Sequence, residues 1–393
     1  MLRVKWEGTK SDWTKYNPEW LRFNCQCSQC RQPKSNQRIL DVSLIPDRVA
    51  LDSASLEDER IHVRWKCPEH VGYISVDRLR ETADYVSQPS VCSRKTIPEL
   101  CQSSVTISSE TVIDYHDLVD QTARADAICL LYRMLLQNGS AIISEMPTVS
   151  GTVKTFVETV LQLPVQRTIY GEVFDVISTP DPINVAYSDA ELKPHIDLAY
   201  YESPPGLQLL HSLRFDDMVK GGESVLVDGF FAAEELRRVR PEYFRLLSTV
   251  PVTFEKIHYD RKWPVHMTYR RPHIAVNGAQ QITALFWAPQ FEGPLFAPLE
   301  QMSAYYEAYK TFSKLIDTCS SRREFRLAPG QMIIFNNRRM LHGRKAFNDG
   351  GEGSRHFQGC YVNIDEFKSQ ALVTLMQHNK YPSVLPHVGN QSC

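Results

Sequence analysis

The sequence predicts an α+β fold that is mainly β: a double-stranded β-helix, or jelly-roll barrel, with helical insertions and a small β module at the N-terminal end. Two observations predict the barrel. Short apolar runs with strand-like alternation recur between residues 195 and 363. Helical periodicity interrupts these runs near residues 232–247 and 299–316, and short strands with such insertions are typical of jelly rolls.

We expect three parts along the chain: a module at residues 1–90, a linker at 91–110 and the barrel domain at 111–393. In the module, IHVRW (61–65) and GYISV (72–76) alternate like half-buried strands. The stretch from Ser87 to Glu110 is rich in Ser, Thr and Pro, which indicates a linker. The barrel domain opens with a helix at 118–137 that Gly139 ends.

The strands expected in the barrel domain are apolar runs bounded by turn-forming residues. They are AIISEM (141–146), LQLLHSL (207–213), SVLVDGF (224–230), QMIIFNN (331–337) and HFQGCYVNI (356–364). In the helix near 299–316, Tyr305, Tyr309 and Phe312 share one face. Core packing is the favoured interpretation of that aromatic stripe, over a ligand site.

Composition excludes several classes of protein. The 393 residues are 42% apolar, which supports a sizeable core and excludes global disorder. The formal net charge of −2 comes from mixed signs without a clustered basic face, so we expect no nucleic-acid partner. The N-terminus lacks the apolar run of a signal peptide, and no apolar stretch is long enough to span a bilayer. We therefore expect a cytoplasmic protein without a membrane partner.

Three of the ten cysteines lie within six residues: Cys25, Cys27 and Cys30. Without a secretion signal, such a cluster indicates a metal site before it indicates disulfides. A tetrahedral structural zinc needs a fourth ligand. The segment WKCPEH offers two candidates, Cys67 and His70. Zinc would help to fold a small module that has little core of its own.

The segment LKPHIDLAYY contains His195 and Asp197, which point to one face if the chain is extended. The best second histidine is His342, which follows the apolar strand QMIIF and a turn. Two histidines and one carboxylate on one side of Fe(II) leave positions open for a co-substrate and dioxygen. A zinc hydrolase can use the same three ligands, and a lone His–Asp pair is often structural.

Arg355 lies thirteen residues after His342, at the start of a strand-like run. A buried arginine offers a two-pronged grip on a carboxylate, such as the distal carboxylate of 2-oxoglutarate. The alternative is a surface cation on a strand.

Several segments together resemble a known family: NCQCSQC, HIDLAYYESPPGLQLLH, GGESVLVDGF, LHGRKAF and SRHFQGCY. They are similar to the 2-oxoglutarate-dependent oxygenases of the γ-butyrobetaine hydroxylase and trimethyllysine hydroxylase group, within the taurine-dioxygenase-like superfamily. The resemblance implies a homodimeric jelly-roll enzyme with a zinc-binding N-terminal domain. It implies oxidation of an unactivated C–H bond by Fe(II), O₂ and 2-oxoglutarate, with succinate and CO₂ as co-products and ascorbate as a reductant.

The resemblance also implies roles for individual residues. His195, Asp197 and His342 would be the iron ligands, and Arg355 would hold 2-oxoglutarate. Leu210 and Ser224 would line the co-substrate pocket, and His70 would complete the zinc site. In the carnitine-pathway hydroxylase, aromatic rings cage a trimethylammonium group. The positions here that match this cage are Tyr170, Phe174, Tyr187 and Tyr361.

The other end of the substrate pocket departs from the family. Where the hydroxylases of the group carry two asparagines, ITALFWAPQF places Trp287 and Ala288, while Asn184 is retained. Leu198 stands where the butyrobetaine enzyme has tyrosine. Ile333 and Phe335 share a strand face near His342 and would shape the pocket or fill the core.

These departures predict a smaller, more apolar pocket and a small amino-acid-like substrate with an aliphatic side chain. Relatives of this group in fungal secondary metabolism oxidise amino acids such as valine, and some close an aziridine ring. The alternative substrates are γ-butyrobetaine and trimethyllysine. A zinc hydrolase and a non-catalytic barrel stay as competing classes, although the three ligands occur together with Arg355.

Overall fold

The computed structural model describes residues 1–6, 13–87, 112–177, 189–278, 280–348 and 353–378. The chain forms two compact units, Met1–Lys95 and Thr96–Cys393. The linker expected at 91–110 lies outside the described residues, so the proposed domain bounds stay a prediction. None of the helices in the described ranges is both long and apolar enough to cross a membrane.

The first unit packs small sheets and helices around one core. Its elements are β1 (Leu2–Val4), β2 (Thr14–Tyr16), α1 (Pro18–Phe23), a 3₁₀ turn (Val42–Leu44), β3 (Ala50–Glu57), β4 (Arg60–Cys67), β5 (Glu69–Ser75) and α2 (Val76–Ser87). Strands β3, β4 and β5 form an antiparallel sheet. In β4, Ile61, Val63 and Trp65 are buried and the residues between them are more exposed, as alternation predicts.

The second unit is built on two sheets that form the jelly roll. The larger sheet comprises β6 (Val112–Asp114), β7 (Ser140–Ser144), β8 (Val173–Ile177), β10 (Leu207–Phe215), β18 (Met332–Asn336) and β21 (Arg355–Val362). The smaller comprises β9 (Leu192–His195), β12 (Ser224–Asp228), β17 (Arg323–Phe325) and β19 (Met340–Arg344). The larger sheet has the order β6-β7-β18-β10-β21-β8, and the smaller has the order β17-β12-β19-β9.

Three strand pairs and several helices complete this unit. The pairs are β11 (Lys220–Gly221) with β20 (Phe347–Asn348), β13 (Val252–His258) with β14 (Val265–Arg271), and β15 (Ile274–Val276) with β16 (Ile282–Leu285). The helices are α3 (Tyr115–Val119), α4 (Arg124–Gln137), α5 (Thr152–Thr155) with a π turn (Phe156–Val160), α6 (Gly229–Val239), α7 (Pro241–Thr249), a 3₁₀ turn (Pro289–Phe291), α8 (Leu299–Thr318) and α9 (Ile364–Gln377).

Alternation along β10 separates two environments. Leu207 and Leu209 belong to a core that includes residues of α4 and α9. Gln208 and Leu210, on the opposite face, point towards the smaller sheet, because the side chains of a strand alternate between its faces. The core between the sheets contains residues from both, among them Leu226, Ile333, Phe335 and Phe357. The predicted jelly roll is thus the fold observed.

The structure corrects some predicted element bounds for local reasons. The stretch 118–137 is two helices, α3 and α4, and Asp120 accepts hydrogen bonds from Thr122 and Ala123 between them. The helix near 232–247 is split into α6 and α7 before Pro241, which cannot continue a helix. The strand expected at 224–230 ends at Asp228, because the Asp228 carboxylate caps α6.

Asp228 and Arg339 form a buried ion pair that joins α6 to the strand connection before β19. Arg339 donates to Asp228 Oδ2 from Nη2 at 2.6 Å and to Oδ1 from Nε at 3.2 Å. It also donates to the Gln137 carbonyl at 2.8 Å. The two residues are 6% and 4% exposed, so the removal of either leaves the other charge buried without its partner.

We expect Arg339→Met to lower the free energy of unfolding by about 3–5 kcal/mol, because the Asp228 carboxylate would stay buried without its counter-charge. Urea unfolding followed by circular dichroism measures the loss. Arg238→Met is the matched control, since Arg238 pairs with Glu235 at the surface and is 71% exposed. Equal stability of the two variants would show that the buried pair contributes nothing.

Candidate active site

The structure brings His195, Asp197 and His342 together at one end of the smaller sheet. His195 is the last residue of β9, Asp197 lies in the turn that follows, and His342 is in the middle of β19. His195 and His342 are direct partners across the two strands. The candidate ligand atoms of the three side chains all lie within 4.8 Å of one another, so the group is compact enough to hold one metal ion.

The protonation of this group suits a metal site. His195 Nδ1 donates to the Lys193 carbonyl at 2.8 Å, which leaves the Nε2 lone pair facing the triad. Burial and the neighbouring His195 lower the pKa of His342 to about 3, so His342 is neutral near pH 7. Burial works to raise the pKa of Asp197, but the protonated form of His342 at low pH and the hydrogen bond from the Tyr361 hydroxyl hold that pKa below its ordinary value.

Asp197 is held from two directions. Its Oδ2 accepts from Gln208 Nε2 and from the Tyr361 hydroxyl, each at 2.7 Å. Asn337 holds its backbone: Asn337 Oδ1 accepts from Asp197 N at 2.9 Å, and Asn337 Nδ2 donates to Asp197 O at 3.0 Å. Asn337 is fully buried. The carboxylate is therefore positioned by a side chain from each of two other strands and by a clamp on its backbone.

One pocket extends from the triad towards Arg355. Leu210, Ser224 and Arg344 are among the residues that line it. The Arg355 guanidinium lies over the rings of Phe357 at 4.0 Å and Phe215 at 5.2 Å. It forms no ion pair with any described acidic residue, and its Nε is buried without a hydrogen-bond partner. Burial and the nearby Arg344 and Arg326 lower the pKa of Arg355 to about 9, so an anion in this pocket would be stabilising.

A second pocket also reaches the triad and is mostly aromatic. Leu198 forms part of its wall, and its rings are Tyr170, Phe174, Tyr200, Phe291 and Tyr361. Phe174 and Tyr361 are stacked, with ring centroids 5.0 Å apart and an interplanar angle of 26°. Tyr170 lies 6.3 Å from Phe174. Three of the residues expected to form a cage therefore lie together beside the metal triad.

Other residues expected in the substrate pocket lie elsewhere or outside the described ranges. Trp287 is 2% exposed and packs against Tyr309 at 4.7 Å and Phe312 at 5.1 Å in the helix-facing core. Ile333 and Phe335 belong to the core between the sheets, with the Phe335 ring 5.0 Å from the His342 ring. The predictions for Asn184 and Tyr187 fall outside the residues that the structure describes.

In the first unit, Cys25, Cys27, Cys30 and His70 converge on one point. His70 Nε2 lies 3.4, 3.6 and 3.5 Å from the three sulfur atoms. Zn–S bonds of about 2.3 Å and a Zn–N bond of about 2.0 Å at tetrahedral angles require an S–N separation of roughly 3.5 Å. Cys67 is exposed and lies outside this group. Of the two candidate fourth ligands, the structure therefore places His70 at the cluster.

Two residues that contact the triad were missing from the sequence prediction. Gln208 is an amide in the apolar strand LQLLHSL, and a buried polar residue in such a run is a usable signal. Asn337 lies in the NNRRM turn, where asparagine is ordinarily explained by local turn geometry. Each contacts Asp197 over a sequence distance that local pattern does not reveal.

Two family models and several curated proteins match this chain. The profile of the taurine catabolism dioxygenase TauD/TfdA family matches residues 100–361, and that of the gamma-butyrobetaine hydroxylase-like N-terminal domain matches residues 1–80. The gamma-butyrobetaine dioxygenase of Pseudomonas sp. (strain AK-1) is 33% identical over 361 residues, covering 90% of this chain and 89% of that protein.

Two further relatives have different names. Dioxygenase str8 of Strobilurus tenacellus is 29% identical over 365 residues, covering 89% of this chain and 83% of that protein. The trimethyllysine dioxygenase of Meyerozyma guilliermondii is 25% identical over 388 residues, covering 94% of this chain and 92% of that protein.

Proposed function

This chain belongs to the TauD/TfdA family and is an Fe(II)- and 2-oxoglutarate-dependent dioxygenase, and we propose that it oxidises an unactivated C–H bond of a small amino-acid-like substrate with an aliphatic side chain. The observation that carries this proposal is the position of the triad between two unlike pockets. One pocket ends in the buried cation of Arg355, and the other is lined by aromatic and aliphatic side chains.

We assign the iron to His195, Asp197 and His342, and the distal carboxylate of 2-oxoglutarate to Arg355. The orphaned Arg355 Nε and the absence of a described counter-ion fit a carboxylate ligand. Ser224 and Leu210 lie in the same pocket and would contact the co-substrate. When bound, Fe(II) and 2-oxoglutarate would activate O₂, which is the oxidant: one oxygen atom goes into succinate as 2-oxoglutarate loses CO₂, and the other is gained by the substrate or leaves as water when the substrate loses two hydrogen atoms.

The chain's own contribution is positioning. Leu198 and the aromatic wall exclude water from the C–H bond and hold an aliphatic group beside the triad. Because Phe174 and Tyr361 stack on each other, one face of each ring is covered and unavailable to a cation. The aliphatic residues Val176, Leu192 and Leu198 that line the same pocket favour an aliphatic group over a trimethylammonium group. Hydroxylation and ring closure, as in aziridine formation from valine, are both outcomes of this arrangement.

The second candidate is hydroxylation of γ-butyrobetaine or trimethyllysine. It is favoured by the names of the relatives and by the three rings, Tyr170, Phe174 and Tyr361, that meet beside the triad. The homodimer and the cytoplasmic location stay predictions. Asn184, Tyr187, Trp287, Ile333 and Phe335 stay predicted contributors to substrate selection.

The test of the substrate is a mass-spectrometric screen of the iron-loaded full chain with 2-oxoglutarate and O₂. We expect succinate formation to be coupled to valine or another branched amino acid, with the product gaining one oxygen atom or losing two hydrogen atoms. Coupled turnover of γ-butyrobetaine or trimethyllysine alone would overturn the aliphatic substrate in favour of the second candidate.

We expect Arg355→Met to raise the KM for 2-oxoglutarate by at least about 30-fold, because a charge-assisted bidentate contact of about 2–3 kcal/mol is lost. Succinate formation at varied 2-oxoglutarate concentration measures the change. Arg214→Met is the control, since Arg214 is on β10 but exposed and paired with Asp216. An unchanged KM in Arg355→Met would refute the role given to Arg355.

We also propose that Cys25, Cys27, Cys30 and His70 bind a structural zinc ion. Burial raises the pKa of the Cys25 thiol to about 12 without metal, and a bound Zn(II) would hold the thiolate form. Arg22 donates from Nη1 to Cys30 Sγ at 3.2 Å, which offsets part of the negative charge of three thiolates.

The substitution Gly72→Ala tests this zinc site, because the added methyl group would collide with Cys25 Sγ and lie 3.0 Å from His70 Nε2. We expect Gly72→Ala to lose most of the zinc that the parent protein retains, with a lower melting temperature of the first unit. Metal analysis of the purified chains measures zinc content. Cys67→Ala, at the exposed rival position, should retain a full equivalent. Loss of zinc in Cys67→Ala instead would reject His70 as the fourth ligand.

A further inference from the structure

Three side chains form a row across the larger sheet, directly facing the metal triad. Gln208 on β10 is the direct partner of Phe335 on β18 and of Tyr361 on β21. Directly opposed residues of neighbouring antiparallel strands project from the same face. We call Phe335, Gln208 and Tyr361 the buttress row.

Each member of the buttress row contacts a residue of the triad. Gln208 and Tyr361 both donate to Asp197 Oδ2 at 2.7 Å. Phe335 packs against the His342 ring at 5.0 Å. The second carboxylate oxygen, Oδ1, lies 3.4 Å from His195 Nε2, while Oδ2 lies 3.7 Å from His342 Nε2. Because two donors already occupy Oδ2, Oδ1 is the oxygen with the freer lone pairs for a metal ion.

The orientation of Gln208 leaves one of its own polar atoms without a hydrogen bond. Gln208 is 1% exposed, and its Oε1 is buried without a hydrogen-bond partner. Rotation of the amide by half a turn would place Oε1 against the Asp197 carboxylate, which is repulsive. An unpaired buried carbonyl oxygen lowers the stability of the fold. What this orientation gains is the hydrogen bond from Gln208 Nε2 to Asp197 Oδ2.

We infer that Gln208 and Tyr361 are positioning residues that hold Asp197 Oδ2, so that the carboxylate presents Oδ1 to the metal. This inference rests on the proposed metal triad. It gives Tyr361 two roles, because its ring lines the aromatic pocket and stacks on Phe174 while its hydroxyl holds a metal ligand. A change of the aromatic wall at Tyr361 therefore alters the metal site as well as substrate selection.

The test is Mn(II) affinity of the zinc-containing full chain without substrate or 2-oxoglutarate, measured from the electron paramagnetic resonance signal of free Mn(II). Mn(II) prefers carboxylate and imidazole to thiolates, so the cysteine cluster does not compete. Loss of such outer contacts typically weakens metal binding about 10-fold to 100-fold. We expect Tyr361→Phe and Gln208→Leu each to raise the Kd for Mn(II) by about 10-fold.

The double variant separates positioning from independent effects. Both donors act on one oxygen. The fold increase in the Kd for Mn(II) of the double variant should therefore be smaller than the product of the two single fold increases. Tyr132→Phe is the matched control, because Tyr132 is equally buried and donates to the Leu161 carbonyl at 3.0 Å in the other core. Its Kd for Mn(II) should equal that of the parent. If Gln208→Leu fails to fold in urea titration, Gln208→Met removes the same donor with an unbranched side chain.

Kd values within twofold of the parent in both Tyr361→Phe and a folded Gln208 variant would overturn the inference. A merely structural role would lower the urea midpoint and leave the Kd unchanged. A parent chain that binds no Mn(II) would overturn the triad and this inference together. A failed substrate screen leaves the Mn(II) affinity measurement unaffected. Failure of the proposed substrate and failure of the positioning inference are therefore distinguishable.

Discussion

The Asp197 carboxylate, which is mostly withdrawn from water with a side chain 20% exposed, is the constraint on which the second unit depends. A carboxylate removed from water costs several kcal/mol unless hydrogen bonds and opposite charge compensate it. Here the hydrogen bonds come from Gln208 on β10 and Tyr361 on β21, while His195 on β9 and His342 on β19 lie 3.4 and 3.7 Å from the carboxylate on the side where a metal ion would bind. Two of these strands belong to each sheet. The contacts of Asp197 therefore constrain both how the two sheets face each other and the strand register within each sheet.

The register of β10 explains how this strand contributes to both the core and the active site. Along β10, Leu207 and Leu209 enter the helix-covered core, while Gln208 and Leu210 face the site. A slip by one residue would exchange the two sets, so that an amide met the helices and two leucines met Asp197. The apolar contacts that stabilise the larger sheet thus also place Gln208, and no separate element is needed to orient the carboxylate.

The two pockets at the triad differ in charge, and this difference determines which ligand each pocket favours. Arg355 is a buried cation among aromatic rings, without a described counter-ion. The other pocket is lined mainly by rings and by aliphatic side chains such as Leu198. An anionic co-substrate is drawn to the first pocket, because burial magnifies the value of an opposite charge there. An aliphatic group is left to the second, where it meets apolar surface.

Local pattern was enough to predict much of the molecule. The jelly roll, the close spacing of His195 and Asp197, and the cysteine cluster depend on residues near one another or on strand alternation. The bounds that were wrong, at Pro241 and at Asp228, depend on capping and on the geometry of proline, and both signals are present in the sequence. The packing of Trp287 on Tyr309 and Phe312 depends on α8, a contact that the local pattern around Trp287 does not reveal.

Ligand type and strand alternation are local properties, so the sequence identifies which residues are chemically able to bind metal and co-substrate. Which of those residues meet depends on the tertiary structure. It selected His70 over Cys67 at the cluster, paired His342 with His195 across two strands, and brought Gln208 and Asn337 to Asp197. The physical reason is that these contacts join residues up to 147 positions apart, as His195 and His342 show, and only the register between strands sets such distances.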